Sequence, residues 1–197
     1  MFAGIVKGMG QVLRQTRRGG DSEIVIGLDG VALGRIEPGD SIAVNGVCLT
    51  ATRCDADSFE ADISEATLAV TTLGQIDLGD RVNLESSLRL GDAIAGHLVY
   101  GHVDAVGRVE SIAEAARSIR LAIDVPAALT RYLAPKGSVA VDGVSLTINE
   151  VGTSTFAVNV IPHTLGVTAI SGYVPGTPVN IEVDMIARYL QQLRKSD

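Results

Sequence analysis

The sequence predicts an all-β protein made of two similar β-barrels in tandem, followed by a single C-terminal α-helix. Three observations lead to this prediction. An internal repeat divides the 197 residues into two copies, short runs rich in Val, Ile and Leu alternate with turn signals inside each copy, and an amphipathic stretch closes the chain. The length suits one large domain or two small ones, and the repeat decides for two.

The internal repeat has an offset of 97 residues. Residues 39–52 read GDSIAVNGVCLTAT and residues 136–149 read KGSVAVDGVSLTIN, so that 7 of the 14 aligned positions are identical. The same offset aligns residues 4–12 with residues 101–109 without any net insertion. A unit of this size is too long for a solenoid repeat and is typical of a small domain. We therefore predict two barrel domains and a tail, at residues 1–97, 98–184 and 185–197.

Each copy is predicted to form about six short strands. In the first copy the apolar runs are Glu23–Leu28, Ser41–Val44, Val47–Ala51 and Arg81–Glu85. Asn45-Gly46 and its counterpart Asp142-Gly143 predict tight hairpins, because a type I′ turn needs positive φ at both central residues. Six strands per copy favour a closed or nearly closed barrel, which leaves no exposed strand edge.

Helical segments are predicted to be few and short. Glu65–Leu73 and Ala127–Leu133 are candidates for one or two turns each. The tail segment Met185–Lys195 is different, because its apolar residues recur at helical spacing and form one stripe. That stripe packs either on its own barrel or against copies of itself in an oligomer, and the spacing does not choose between the two.

Composition argues against several classes of partner. Acidic residues outnumber basic ones, 23 to 16, for a net charge of −7, whereas a nucleic-acid-binding surface is usually basic. Four Tyr, three Phe and no Trp are few for stacking on unpaired bases. The sequence shows no secretory signal pattern, no apolar run of about 18 residues and only two cysteines, which predicts a cytoplasmic protein in a reducing compartment.

The residues able to carry chemistry cluster in the repeated blocks. His97 and His102 lie in the central stretch Ala95–Val106, which we expect to be a strand with these two rings on opposite faces, so that zinc binding is disfavoured. Histidine is the usual proton carrier near neutral pH. Cys48 aligns with Ser145 and each is followed by Leu-Thr, so Cys48 is either a buried structural thiol or one of a pair of polar groups in matched sites.

Other candidates are carboxylates, and several enzyme classes lack their motifs. Asp62, Asp142 and Asp184 border the repeated blocks, and together with Lys136 they suit hydrogen bonding to a polyhydroxylated group. The sequence contains no Gly-x-Ser-x-Gly elbow, no Walker A motif and no Gly-x-Gly-x-x-Gly, which disfavours nucleophilic hydrolases and the nucleotide-binding enzymes that use those motifs.

Four stretches of the sequence resemble the riboflavin synthase family. They are MFAGIV at the start, the doubled NGVCLT and DGVSLT, the central GHLVYGHVDAVG, and VNIEVDMIARY near the end. The resemblance covers the whole chain in order and spacing. It implies two six-stranded Greek-key barrels that each bind lumazine, and a C-terminal helix that holds a homotrimer in which the barrels of neighbouring subunits face each other.

The same resemblance implies an activity. The family converts two molecules of 6,7-dimethyl-8-ribityllumazine to riboflavin and 5-amino-6-ribitylamino-uracil by transferring a four-carbon unit, without metal or cofactor. Some members associate with lumazine synthase. Related proteins bind lumazine or flavin without catalysis, and a non-catalytic lumazine or flavin binder is therefore the alternative interpretation.

The site residues implied by the resemblance fall into two sets that bind substrate and a smaller set with chemical roles. The first barrel would use Gly4, Ile5, Val6, Cys48, Leu49, Thr50, Asp62, Ile63, Ser64, Glu65, Ala66 and Thr67. The second barrel would use Gly101, His102, Val103, Lys136, Ser145, Leu146, Thr147, Val160, Ile161, Pro162, His163, Thr164 and Leu165. The expected proton carrier is His102, with His97 second, Cys48 or Ser41 assisting at the acceptor, and Asp184 orienting a group at the subunit interface.

Overall fold

Apolar side chains alternate along the strands and close each half of the chain into a barrel. The computed structural model describes residues 1–194 and contains two closed, antiparallel, six-stranded barrels. The strands of the first are β1 Gly8–Arg18, β2 Asp21–Gly27, β3 Ser41–Val44, β4 Val47–Cys54, β5 Ser58–Ile63 and β6 Arg81–Ser86. Those of the second are β7 Ala105–Ala115, β8 Ser118–Asp124, β9 Ser138–Val141, β10 Val144–Val151, β11 Thr155–Val160 and β12 Pro178–Val183.

The two barrels have the same strand order. The first runs β1-β2-β5-β4-β3-β6 around its circumference, and the second follows the same circuit with every strand number raised by six. This order is a Greek-key connection closed on itself, and it confirms the fold class predicted from the repeat. The predicted boundary between residues 97 and 98 falls in the irregular segment between β6 and β7.

The hairpins predicted at the two turn dipeptides are present. Asn45 and Gly46 have φ of 45° and 73°, and Asp142 and Gly143 have φ of 43° and 77°. Positive φ at both central residues is the condition that selected these dipeptides, because Asn, Asp and Gly tolerate that region best.

Each barrel encloses its own apolar core. Phe59 fills the first core together with Ile24 and Leu84, and its repeat counterpart Phe156 fills the second. Both phenylalanines are almost completely buried. Because strand side chains alternate between the two faces, Ser58 and Glu60 on either side of Phe59 are only half-buried.

The barrels meet around an approximate two-fold axis. Phe2 forms an isolated antiparallel bridge with its repeat counterpart Val99, which lies at the start of the second repeat. The turns touch backbone to backbone, since a Cβ on Gly46 would lie only 2.5 Å from the nitrogen of Gly143. Reciprocal hydrogen bonds reinforce this seam: Asn83 Nδ2 donates to the carbonyl of Asp142 at 2.9 Å, and Asn180 Nδ2 donates to that of Asn45 at 2.8 Å.

The helices are α1 Glu65–Val70, α2 Ala127–Thr130, α3 Pro162–Val167 and α4 Met185–Leu193, with single 3-10 turns at Thr72–Gln75 and Ala169–Gly172. The predicted helical stretch Glu65–Leu73 is thus split between α1 and a 3-10 turn, and the predicted one at Ala127–Leu133 is helical only in its first four residues. The tail helix is present as predicted up to Leu193, whereas Lys195 lies outside the described residues. No helix within residues 1–194 is long and apolar enough to span a membrane.

One prediction of secondary structure is wrong. Ala95–Val106 was expected to be a strand, but residues 95–104 are irregular apart from the bridge at Val99, and β7 begins only at Ala105. Up to residue 102 the backbone hydrogen bonds of this segment join it to residues 2–3 and Cys48 of the first repeat and to the buried carboxylate of Glu182. Pairing with a strand of its own barrel begins at Asp104, whose amide donates to the carbonyl of Ile181. His97 and His102 are therefore not placed on opposite faces of a strand.

Candidate functional site

The first barrel presents a polar strip along β4, β5 and the start of α1. Ala51 and Ala61 pair across β4 and β5 and face the core, which leaves Thr50 and Asp62 exposed on the outer face. Ser64 then caps α1, since its hydroxyl accepts the amide of Thr67 at 3.2 Å. Such an N-cap side chain satisfies one of the free amides of the first helical turn. Leu49 and Ile63 are buried in the barrel, while Glu65 and Ala66 are exposed.

The second barrel repeats this strip with different side chains. Ser145 is partly buried and Thr147 is exposed on β10. Helix α3 follows β11 and begins with Pro162, and it exposes His163 in its first turn. Lys136 is exposed at positive φ, 71°, just before β9. The remaining predicted positions are buried in the barrel (Leu146, Val160), exposed (Ile161) or half-buried (Thr164, Leu165).

The segments that precede the first strand of each barrel cross to the other barrel. The amide of Cys48 donates to the carbonyl of Gly101 at 3.0 Å, and the amide of Ser145 donates to the carbonyl of Gly4 at 2.8 Å. Val103 packs against the core of the first barrel, and Val6 packs against that of the second. Each strip is therefore bordered by a segment that belongs, in sequence, to the opposite repeat.

This crossing corrects the grouping of the predicted residues. Gly4, Ile5 and Val6 were assigned to the first barrel's site, yet they lie beside Ser145 of the second. Gly101, His102 and Val103 were assigned to the second barrel's site, yet they lie beside Cys48 of the first. The physical reason is the bridge between Phe2 and Val99, which directs both segments across the two-fold axis before their own strands begin.

Glycine is required where the segments cross. Gly101 has φ of 78°, and a Cβ there would lie 2.5 Å from Cβ of Cys48 and 2.7 Å from its nitrogen. Gly4 has φ of 72° and would place a Cβ 2.6 Å from Cβ of Ser145. Only a residue without a side chain permits this approach and this backbone conformation together.

The two central histidines belong to different surroundings. His97 is buried, its Nδ1 lies 2.7 Å from Oγ of Ser145, and its Nε2 has no hydrogen-bond partner in the described chain. Burial lowers the pKa of His97, and the negative charge of Asp184 opposes that effect. His102 is exposed and directly follows Gly101, so it lies beside the first barrel's strip, with its ring centroid 6.2 Å from that of Tyr100.

The five residues with predicted chemical roles are only partly brought together. Ser41 pairs with Thr50 across β3 and β4, on the first barrel with Cys48. His102 follows Gly101, whose carbonyl accepts the amide of Cys48, and it lines a cleft together with Glu182 and Arg188. Asp184 instead caps α4, where its side chain accepts the amide of Ile186 at 2.9 Å. Within residues 1–194 no group of three or more His, Cys, Asp or Glu side chains is arranged to hold a metal ion.

Two buried glutamates form part of the site, and the sequence reasoning missed them. Glu182 on β12 accepts the backbone amides of Tyr100, Gly101 and His102, at 2.6, 2.8 and 3.0 Å. Its repeat counterpart Glu85 on β6 accepts the amide of Ala3 at 2.8 Å. The signal was available, because VNLE and VNIE occur at the same offset as the other repeated blocks.

Burial raises the pKa of both glutamates. At Glu182 the three amides and the charge of His102 oppose the rise, and at Glu85 the nearby amides of residues 3–5 and the charge of Lys7 do so. The backbone donors favour the charged form of each carboxylate and so offset part of the effect of burial on its pKa.

Asp142 is not part of either strip, although it was expected to help bind a polyhydroxylated group. It lies in the seam between the barrels, where its Oδ1 accepts the amide of Asn180 at 2.7 Å and its other oxygen accepts the hydroxyl of Tyr173. A cleft of about 490 Å³ opens beside it, with Asn45 and Thr72 among its lining residues. Burial raises the pKa of Asp142 to about 7, against the effect of the Tyr173 and Asn180 bonds.

Comparison with known proteins identifies the family. The chain matches the lumazine binding domain twice, over residues 3–87 and 100–184. It is 42% identical over 193 residues to riboflavin synthase of Photobacterium phosphoreum, covering 98% of this chain and 88% of that one. It is 36% identical to riboflavin synthase of Bacillus subtilis, covering 96% of this chain and 88% of that one.

This chain belongs to the riboflavin synthase family. The two matched regions contain all twelve strands of the paired barrels. Among solved structures, LumP complexed with riboflavin matches with a TM-score of 0.84 and 27% identity, covering 93% of this chain and 99% of that one. LumP complexed with 6,7-dimethyl-8-(1'-D-ribityl) lumazine matches with a TM-score of 0.83 and 26% identity, over the same shares of both chains. Membership of the riboflavin synthase family thus agrees with the doubled fold and with the two matched polar strips.

Proposed function

We propose that this protein is a riboflavin synthase. It would transfer a four-carbon unit between two molecules of 6,7-dimethyl-8-ribityllumazine, giving riboflavin and 5-amino-6-ribitylamino-uracil, the last step of riboflavin biosynthesis. The observation that carries the proposal is the pair of matched strips on two lumazine-binding barrels, in a chain whose relatives over nearly its full length are riboflavin synthases. The atoms of two lumazines equal those of the two products, so the reaction needs no external oxidant or reductant.

Each strip offers the groups that a ribityllumazine requires. Backbone amides and carbonyls at the crossing segments suit the pyrimidine edge of the ring system, and exposed hydroxyls and charged side chains suit the ribityl chain. On the first barrel these are Thr50, Asp62 and Ser64. On the second they are Lys136 and Thr147, with the partly buried Ser145 beside them. Few aromatic residues are needed, because exposed aliphatic side chains, Ile5 and Ile161 among them, offer apolar surface beside the strips.

Two similar sites suit a reaction between two identical molecules. Holding both lumazines in register converts a bimolecular encounter into an effectively unimolecular step, an advantage on the order of 7–11 kcal/mol in favourable systems. The strips of a single chain are open to solvent, since Thr50 and Thr147 are both exposed. We propose that the first barrel of one subunit faces the second barrel of its neighbour, so that one reaction centre forms between two chains.

The reaction starts with the removal of a proton from the substrate. The 7-methyl group of one lumazine loses a proton to give a stabilised carbanion, and C7 of the other accepts a nucleophile. His102 is proposed as the proton carrier, because it is exposed and directly follows Gly101, whose carbonyl accepts the amide of Cys48. Cys48 or Ser41 would assist at the acceptor carbon, and Asp184 would orient a group at the interface. His97 is buried against Ser145, and we keep it as the second candidate.

Helix α4 supports a homotrimer. None of the residues of α4 is buried within the described chain, and the exposed fractions of Ile186, Tyr189, Leu190 and Leu193 are 62%, 64%, 58% and 66%. An amphipathic helix with an exposed apolar stripe needs a partner surface. We propose residues 185–197 as the oligomerisation segment, and the domain limits 1–97 and 98–184 for the barrels. Association with lumazine synthase and a cytoplasmic location are further proposals that follow from the family.

A turnover assay separates the enzyme from the alternative. The purified protein is mixed with 6,7-dimethyl-8-ribityllumazine and the absorbance of riboflavin is followed. Catalytic formation of riboflavin is the expected result. Bound ligand without turnover would instead favour a non-catalytic lumazine or flavin carrier, an alternative kept open by the likeness to LumP complexed with riboflavin.

A further inference from the structure

The carboxylate of Glu182 is surrounded by the backbone amides of one short segment. Three consecutive amides, those of Tyr100, Gly101 and His102, donate to its two oxygens within 3.0 Å. Glu182 itself is only 4% exposed. A buried carboxylate that accepts several amides fixes the donors in one conformation, because each charge-assisted bond has to be broken before the segment can move.

Glu85 stands in the same place in the first barrel. It is 3% exposed and accepts the amide of Ala3, which is the repeat counterpart of Tyr100. Fewer amides bind it in good geometry than bind Glu182, so the hold on the first segment is weaker. The two glutamates are thus a natural pair of matched positions, one in each barrel.

Both held segments end at a ligand strip on the opposite barrel. Glu182 belongs to the second barrel, but the segment that it holds places Gly101 against Cys48 of the first. Glu85 belongs to the first barrel, but its segment places Gly4 against Ser145 of the second. The strand that carries each glutamate therefore lies on one barrel and the strip that it organises lies on the other.

We propose that Glu182 and Glu85 are positioning residues that act across the barrel interface: Glu182 orders the first barrel's lumazine site and His102, and Glu85 orders the second barrel's site. The inference rests on the proposed function, because it assigns the strips to lumazine. Neither glutamate touches the ligand. Each acts through the backbone that it holds.

The test compares Glu182→Gln with Glu85→Gln in the full-length protein. Gln keeps the size of the side chain but replaces one acceptor oxygen by an NH₂ group that faces backbone donors. Riboflavin is titrated while hydrogen–deuterium exchange is followed by mass spectrometry in peptides covering residues 47–51 and 144–148. These peptides report the occupancy of the first and the second barrel separately.

The expected pattern is crossed. Glu182→Gln should raise the riboflavin concentration that half-protects residues 47–51 by about tenfold or more and leave residues 144–148 near their wild-type value. Glu85→Gln should do the reverse, with a smaller change. In steady-state assays Glu182→Gln should also lower kcat, because His102 follows the released segment, whereas Glu85→Gln should act mainly on KM. Weaker riboflavin binding at the barrel that carries the substituted strand, or equally weaker binding at both barrels, would show a merely structural role and overturn the inference.

Two further measurements keep the result decisive. If Glu182→Gln does not fold, Glu182→Asp keeps the charge, withdraws the carboxylate by one methylene and must give the same crossed pattern. If the wild-type protein neither turns over lumazine nor gains protection from riboflavin, the proposed function fails. The inference is then decided without ligand, since Glu182→Gln must speed amide exchange at residues 100–102, and unchanged exchange there would overturn it.

Discussion

The amide of Cys48 donates a hydrogen bond to the carbonyl of Gly101 at 3.0 Å, which joins a strand of the first barrel to the segment that introduces the second. The equivalent bond between Ser145 and Gly4 closes the exchange on the other side. The protein is thus more than two barrels in a row, because each polar strip is bordered by a segment of the other repeat.

Replacing Gly101 by alanine is expected to damage the first barrel's site. The new Cβ would lie 2.5 Å from that of Cys48, and the backbone is at φ of 78°. We expect Gly101→Ala to destabilise the fold by about 1–3 kcal/mol and to reduce turnover about tenfold or more. Gly30→Ala is the matched control, because Gly30 has φ of 80° but nothing within 4 Å of its added Cβ. Equal turnover losses in the two variants, measured beside urea unfolding, would mean that the close approach to Cys48 is irrelevant.

Replacing His102 is expected to slow the chemical step more than binding. If His102 carries the proton from the 7-methyl group, His102→Gln should lower kcat about 100-fold or more with a modest change in KM. His163→Gln is the comparison, because His163 is also exposed but lies on α3 of the second barrel and has no assigned proton role. Turnover by His102→Gln at the wild-type rate, with the oligomer intact by light scattering, would remove His102 as proton carrier.

The buried Asp142 is expected to make stability depend on pH. Its pKa is 3.8 in the absence of the fold and about 7 in the folded protein, chiefly because of burial. Between these values the folded state binds one more proton than the unfolded state. The free energy of unfolding therefore falls as pH rises through this window, by up to about 1.4 kcal/mol per pH unit from this group.

Asp142→Asn should flatten that slope. An amide fits the position, because Asn45 occupies the equivalent place in the first barrel and its Oδ1 accepts the amide of Asn83 at 2.7 Å, just as Asp142 accepts that of Asn180. Urea unfolding at several pH values between about 4 and 7 measures the slope, and Asp57→Asn is the control at an exposed aspartate. A slope in Asp142→Asn identical to that of the wild type would contradict the assignment.

A charge on the apolar face of α4 is expected to break the oligomer. Leu193 is 66% exposed in the single chain, and Leu193→Glu should leave the barrels folded but dissociate a trimer held by this helix. Turnover should then fall about tenfold or more while riboflavin binding per chain persists, because the paired sites separate. Leu90→Glu, at a fully exposed loop position, makes the same change of charge and should do neither. Size-exclusion chromatography with light scattering measures the mass, and an intact trimer in Leu193→Glu would reject this role for α4.

Several features of the fold were predictable because their causes are local. The two hairpin turns follow from Asn45-Gly46 and Asp142-Gly143, whose small or turn-forming residues tolerate positive φ. The tail helix follows from apolar spacing along a single segment. The number of barrels follows from an offset that can be read by aligning the sequence with itself.

The limits of Ala95–Val106 were not predictable in the same way. Its pattern of apolar residues resembles that of a strand, but its amides donate to the carboxylate of Glu182 and the carbonyl of Gly101 accepts the amide of Cys48. Those partners are distant in sequence, and local propensity contains no information about them. The same holds for Asp142, which looks like a surface turn residue and is buried only because two turns meet across the axis.

The sequence by itself therefore determined that there are two barrels, which strands and turns build them, and which residue types border each strip, since these depend on short-range patterns and on the repeat. Only the tertiary structure decided which strip each border segment joins. The reason is geometric: the bridge between Phe2 and Val99 carries both segments across the axis, and a glutamate buried in the barrel of each segment's own repeat then holds that segment there.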